Sequence, residues 1–292
     1  MAARPRTLPA AIAPVLVGSA AANYEMHTGQ SPDFHWLAFV AALIGSIFIQ
    51  IGTNLANDYS DARRGADTAD RLGPVRVTSS GLVAPRRVLV ATWLAFAVAV
   101  AAGIYLATVA GAVILAVGAA SILAGVLYTG GPRPYGYEGL GELFVFLFFG
   151  LVAVNGSYYV QVEHLDWIPF GLSLAVGCLA TAILVVNNVR DLDTDRRAGK
   201  RTLAVRIGRD DARGLYVGLL VAAFGALLIT LAVSGGPWWA ALGLVAAPLA
   251  TRPARAVLTR TDGPSLNGAL AGTGALLGAF SVATAAGLLL AV

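Results

Sequence analysis

Nine stretches of 15 to 25 mostly apolar residues fill the chain, at 8–24, 35–57, 87–108, 110–128, 139–160, 168–189, 214–233, 237–251 and 267–291. Each is about the length a helix needs to cross the hydrocarbon core of a bilayer. Lipid offers no partner to a bare N–H or C=O, so such a chain is expected to be all-α, a polytopic bundle of nine transmembrane helices. Charge says how it is threaded. All 20 basic residues lie at the N-terminus (Arg4, Arg6) or in the connections 58–86, 129–138, 190–213 and 252–266, with Arg87 at the edge of the first. The alternate connections (25–34, near 109, 161–167, 234–236) hold none. The positive-inside rule then puts the N-terminus and those four connections in the cytoplasm and the C-terminus outside a cell membrane. Glu25, Asp33, Glu163 and Asp166 fall outside and the other 12 acidic residues inside, so the inner side carries +8 and the outer side −4.

Only 12% of the residues are charged, where a soluble domain carries roughly a quarter. A surface that is mostly apolar leaves no basic face for nucleic acid. The single cysteine, Cys178, excludes a disulfide framework and a cysteine-based zinc site. Pro9 and Pro14 interrupt the first apolar run, which reads as a span rather than a cleavable leader.

Two acidic segments stand out against this background. The second span runs into Asn54-Leu55-Ala56-Asn57-Asp58-Tyr59-Ser60-Asp61, where Asn54, Asp58 and Asp61 share one face of a continuing helix. The sixth ends in Asn187-Asn188-Val189-Arg190-Asp191-Leu192-Asp193-Thr194-Asp195, where Asn187, Asp191 and Asp195 do the same. Arginines and a glycine follow in both, at Arg63-Arg64-Gly65 and Arg196-Arg197-Ala198-Gly199. The pattern points to one domain over 1–292 containing a duplication, helices 1–4 and 5–8, with a ninth helix added.

Clustered carboxylates repel unless a cation sits among them. Hard oxygen donors suit Mg²⁺, which is held by a few carboxylates together with substrate phosphates. Two facing clusters could grip one diphosphate through Mg²⁺ while nearby Arg and Lys stabilise its departure. The plain alternative is solvated loop charge; the matching phase of two clusters, both fused to spans, favours a site.

At these residues the sequence resembles the UbiA superfamily of intramembrane aromatic prenyltransferases, over essentially its whole length. Further matching segments are Gly65-Ala66-Asp67, Gly73-Pro74-Val75-Arg76, Tyr128-Thr129-Gly130-Gly131-Pro132-Arg133-Pro134-Tyr135-Gly136-Tyr137, Gly139-Leu140-Gly141-Glu142 and Gly199-Lys200-Arg201-Thr202-Leu203-Ala204. They are most similar to the branch that uses 1,4-dihydroxy-2-naphthoate. The superfamily's first motif ends in an Asp where this chain has Gly65, a place that Asp67 could take. The resemblance implies a bundle around a central cavity. It also implies a reaction: a polyprenyl diphosphate ionises with help from Mg²⁺, the electron-rich naphthoate ring captures the allylic cation, and CO₂ is lost. A cation of that kind must be kept from water, and an isoprenoid tail is at home in membrane lipid.

The expected metal ligands are Asn54, Asp58 and Asp61 in one cluster and Asp191 and Asp195 in the other, the four aspartates being catalytic. Asn187 or Asn188 could add a neutral oxygen, or simply bond the helix backbone. Lys200, the only lysine, lies five residues past Asp195 and is the first choice for the diphosphate. Arg63, Arg76, Arg133 and Arg190 are further candidates, although a cytoplasmic arginine more often only sets orientation. Tyr128 could shield a cation with its ring or be an interfacial tyrosine. Glu142, costly at membrane depth unless paired, is read as pairing with an arginine or taking a catalytic part. A transferase of the same superfamily with another acceptor remains open, as does a secondary transporter, whose polar site would instead lie near mid-bilayer on broken helices.

Overall fold

A computed structural model describes residues 4, 7–29, 33–65, 72–73 and 76–292; Arg6, Asp67 and Asp70 lie outside them. The described residues form helices and connections without strands. The long elements are α1 (Leu8–Gly29), α2 (Trp36–Arg63), α3 (Pro85–Ala110), α4 (Val113–Leu127), α5 (Gly141–Val162), α6 (Trp167–Arg197), α7 (Arg209–Ser234), α8 (Trp238–Ala250 continuing as Thr251–Thr259) and α9 (Gly263–Leu290).

Six of them, α2, α3, α5, α6, α7 and α9, are long and apolar enough to cross a membrane. The expectation of nine is thus met by six on length and composition among the described residues. The remaining three have local reasons to fall short. α1 carries Asn23 and Glu25 in its second half, and α4 has 15 residues. α8 starts as 13 residues of 3₁₀ helix with Pro248 inside, then turns into a short α segment bearing Arg252 and Arg255.

Helix ends follow local chemistry. Pro85 begins α3, where its missing N–H costs nothing. Asp166 caps α6 by accepting from the Ile168 amide at 2.9 Å, and Asp262 caps α9 by accepting from Ser265 at 2.8 Å. The two motif-bearing helices stop alike, α2 before Gly65 (φ 63°) and α6 before Gly199 (φ 73°), left-handed positions that glycine occupies without strain. Both begin at an exposed tryptophan, Trp36 and Trp167. The loops expected at 58–86 and 190–213 are therefore shorter than they look in sequence. α2 runs on to Arg63 and α6 to Arg197, and a short helix Leu203–Ile207 precedes α7.

α6 is the hub. Its apolar window is 78% buried, against 28% for α2, α3, α5 and α7. It packs on α7, α9, α5 and α1 around Leu172, Leu179, Tyr216, Leu227, Leu276 and Phe280. α2 and α3 pair with each other, and a second apolar cluster (Ala38, Ala41, Leu106, Ala110, Ile114, Val160) closes their far end against α4 and α5. Space is left between the α2–α4 group and the α1–α5–α6 group. Within α5, Phe146–Val152 winds as π-helix, a form that often accompanies functional sites.

Bundles in lipid gain little from burying one apolar surface on another, so close backbone approach matters. A Cβ on Gly18 of α1 would stand 2.1 Å from the Val154 carbonyl oxygen of α5, and one on Gly287 of α9 would stand 2.0 Å from that of Trp239. Gly268, in the glycine-rich run 268–274, has open space instead. Gly18→Val and Gly287→Val should each cost about 2 kcal/mol or more, and Gly268→Val close to nothing. Thermal unfolding of the detergent-solubilised variants measures this, and equal midpoints for all three would contradict the crossings described.

Candidate active site

The space between the two groups is a cavity of about 340 Å³ with two unlike ends. One end is polar, lined by Asn54, Asn57 and Asp61 of α2, by Asn187, Asn188, Asp191 and Asp195 of α6, and by Arg76 and Lys200. The other is walled by small and apolar residues of α2 to α5, among them Gly45, Leu106, Val117, Gly118, Val152 and Gly156. Along α2 the lining extends from Asp61 back to Ala42, about 28 Å at the α-helical rise of about 1.5 Å per residue.

Lys200 joins the two acidic motifs. The turn at Gly199 reverses the chain, the Lys200 amide donates to the Asp195 carbonyl (2.9 Å), and the side chain points back into the polar end. Its Nζ lies 3.7 Å from Asp61 Oδ2 and 4.0 Å from Asp195 Oδ1, and 4.7 Å from the centre of the Tyr137 ring. Asp61 also accepts from Arg76 Nη2 at 2.7 Å and from the Tyr137 hydroxyl. Asp61 is 1% exposed and Lys200 7%, so these charges balance each other away from water.

Asp191 is held differently. Arg190, its neighbour in sequence, grips it with two parallel bonds of 2.8 and 2.6 Å, and donates also to Asn187 Oδ1 (2.8 Å) and Asn267 Oδ1 (2.8 Å). Asn267 in turn donates to the Leu72 carbonyl at 3.0 Å. Sequence reasoning offered Arg190 to the diphosphate; here it orients Asp191 and ties α6 to α9.

Other expected site residues turn elsewhere. Asp58 is absent from the cavity lining, and its oxygens accept from the amides of Val77 (3.2 Å) and Thr78 (3.0 Å), clipping down the segment that carries Arg76. A helix face is wide enough for Asn54 and Asp61 to reach the cavity while Asp58 meets this loop. Asn54 lines the cavity and donates to Thr7 Oγ1 at 3.3 Å. Arg63 is exposed and donates to the Tyr59 hydroxyl at 3.3 Å, and Arg133 is exposed; neither lines the cavity. The buried Glu142 accepts from Asn188 Nδ2 at 2.8 Å instead of pairing with an arginine, and its Oε2 has no hydrogen-bond partner. Among the described residues no three acidic or histidine groups converge as a ready-made metal cage.

Tyr128 lines the cavity and heads a row of aromatic rings. It meets Tyr135 edge-on (5.4 Å between centres), Tyr135 stacks on Phe144 (4.0 Å), and Phe144 lies 6.1 Å from Phe148. Sequence reasoning assigned no role to Tyr137, Gln50, Asn57 or Arg4, all of which line the cavity. Gln50 and Asn57 could have been noticed as polar residues within or at the end of an apolar span, which carry a cost unless they have partners.

Replacing Arg190 by Met should leave Asp191 buried without its cation and lower stability by roughly 3 kcal/mol. Denaturant unfolding in detergent reads this, and an unchanged midpoint would show that the pair holds nothing together.

Known proteins are similar to this chain. A 1,4-dihydroxy-2-naphthoate octaprenyltransferase of Mycobacterium tuberculosis is 46% identical over 286 residues, covering 98% of this chain and 94% of that protein. One of Mycobacterium leprae is 44% identical over 289 residues, covering 99% and 95%. The solved structure of a UbiA homolog from Archaeoglobus fulgidus bound to GPP and Mg²⁺ has the same fold, with a TM-score of 0.65 at 15% identity over 97% of this chain and 98% of that one. The profile of the UbiA prenyltransferase family matches residues 11–271, a stretch that includes both acidic motifs, the turn between them and Lys200. On that match, the chain belongs to the UbiA prenyltransferase family.

Proposed function

We propose that this protein transfers a polyprenyl group from polyprenyl diphosphate to 1,4-dihydroxy-2-naphthoate, releasing diphosphate and CO₂, as the names of its mycobacterial relatives suggest. The observation that carries the reading is Lys200 between Asp61 and Asp195, at the polar end of a cavity whose other end is apolar. A prenyl diphosphate has the same asymmetry, an anionic head on a hydrocarbon tail.

The donor set fits Mg²⁺. Asp61, Asp191 and Asp195, with the side-chain oxygens of Asn54 and of Asn187 or Asn188, present hard oxygens to one cavity. Mg²⁺ keeps waters and substrate phosphate oxygens among its ligands, so a few protein oxygens suffice. Those residues would hold it, and the charge it supplies would neutralise the departing diphosphate. Lys200 and Arg76 bind the diphosphate from the protein side. Asp58 acts on Arg76 through the 77–78 segment, and Arg190 acts on Asp191. The aromatic row from Tyr128 to Phe148 keeps water from the allylic carbon and turns ring faces toward its positive charge. The acceptor ring attacks that carbon, and loss of CO₂ from the ring restores aromaticity.

The same reading has nine crossings in a cell membrane, with the N-terminus and the polar end of the cavity cytoplasmic and the C-terminus outside. The 13 residues of 3₁₀ helix in α8 reach about 26 Å before the α segment that continues them, whereas 15 α-helical residues in α4 reach about 22 Å and cross where the bilayer thins around a short helix. The tail and the surrounding lipid then share one apolar phase.

Purified protein given Mg²⁺ and a long-chain prenyl diphosphate should prenylate dihydroxynaphthoate with one CO₂ per turnover, and neither 4-hydroxybenzoate nor homogentisate. EDTA should abolish the rate. Asp61→Asn, Asp191→Asn and Lys200→Met should lower kcat by about 100-fold or more, while Arg63→Ala and Arg133→Ala stay within about twofold. Equal use of another acceptor, or full activity of Asp61→Asn, defeats the proposal.

Threading has its own test. In a Cys178→Ser background, Arg133→Cys should react with a membrane-impermeant maleimide only from the cytoplasmic side, and Glu163→Cys only from outside. Labelling of both from one side would refute the orientation.

A further inference from the structure

The proposed reaction, on which this inference rests, brings two anions into one cavity: a diphosphate and an aromatic carboxylate. Three cationic side chains line that cavity among the described residues, Arg4, Arg76 and Lys200. Arg76 and Lys200 both reach Asp61, at 2.7 and 3.7 Å, and so belong to the acidic corner where the diphosphate is held. Arg4 enters from another element, the segment just ahead of α1.

Its placement is built rather than incidental. The Arg4 carbonyl accepts from the Thr7 amide (2.9 Å) and the Thr7 hydroxyl (3.0 Å). The same hydroxyl oxygen accepts from Gln50 Nε2 (3.1 Å) and Asn54 Nδ2 (3.3 Å), two amides of α2 that line the cavity. The Thr7 hydroxyl thereby uses its whole hydrogen-bonding capacity to tie the Arg4 carbonyl to α2. Arg4 itself sits at φ 47°, a left-handed backbone that a non-glycine residue keeps only when its surroundings impose it. Its Nη2 is buried. Tyr128, the head of the aromatic row, lines the same cavity as Arg4.

We propose that Arg4 is the acceptor-recognising residue, binding the carboxylate of the aromatic substrate while its fused ring lies against the Tyr128 end of the aromatic wall. A planar guanidinium offers the paired donors that a carboxylate accepts, and aromatic rings beside it take the naphthalene face. The anchor also has a built-in release. When the carbon–carboxylate bond breaks, its electron pair returns to the ring, CO₂ leaves, and the prenylated product has no charge left for Arg4 to hold.

The test compares the full-length protein with Arg4→Gln and Arg4→Lys. Arg4→Gln should raise KM for dihydroxynaphthoate about tenfold or more, with KM for the prenyl diphosphate within about twofold, and Arg4→Lys should recover part of the loss. Binding without turnover adds a second readout. Calorimetric titration of the purified protein should favour 2-naphthoate over 2-naphthol, and Arg4→Gln should erase that preference at an unchanged melting temperature. A rise in KM for the prenyl diphosphate instead, or a carboxylate preference that survives in Arg4→Gln, overturns the assignment. A wild-type protein that binds 2-naphthoate through Arg4 yet prenylates no naphthoate would defeat the proposed reaction and leave the carboxylate site standing.

Discussion

Inside a membrane bundle a buried charge has to find its counter-charge within the protein, and in this chain that requirement converges on Lys200. One ammonium between Asp61 and Asp195 couples two helices that lie far apart in sequence. Around it Arg76, Tyr137 and the Asp58-bound 77–78 segment close one side, and the Arg190–Asp191 pair with Asn187 and Asn267 closes the other. With surrounding groups this close, removing one partner exposes the rest to an unbalanced charge. The polar corner is thus a structural joint as well as a site for chemistry.

The rest of the cavity follows from what that corner must not do. A diphosphate head needs cations and hard oxygens, whereas the allylic carbon behind it needs dryness. The change from Asp and Asn at the polar end of α2 to Gly45 and Ala42 farther along the same helix supplies both within about 28 Å. The π-helical turn in α5 contributes Phe148, Phe149 and Val152 to the wall. Opposite it, Gly150 and Gly177 let α5 and α6 approach at backbone distance.

Much of the molecule was readable along the chain. Apolar runs located the long helices because hydropathy and length respond to the same bilayer, although α2, α6 and α8 run on six to eight residues past their apolar runs. The phase of Asn54 with Asp61 and of Asn187 with Asp191 was readable because helical periodicity survives past the membrane edge. Lys200 could be singled out by its rarity and its distance from Asp195. Less legible were residues whose roles depend on what faces them. Asp58 and Asp61 share one motif, yet one meets backbone amides and the other meets the cavity. Arg190 looks like any cytoplasmic arginine until its fork is seen closed on Asp191. Arg63 and Arg133 look equally suitable and point away from the cavity.

Sequence by itself determined the helical class, the alternation of connections with and without basic residues and the pairing of two acidic motifs. Each of these is a property of local composition and period, read within one or two helical turns. Only the tertiary structure decided which carboxylates share a chamber, which arginines orient and which face solvent, and that Arg4 and Tyr128 line one cavity. Those outcomes depend on helix rotation and on contacts between residues as distant as Thr7 and Asn54 or Arg190 and Asn267. A linear pattern carries no information about such distances, because they are set by how the bundle closes.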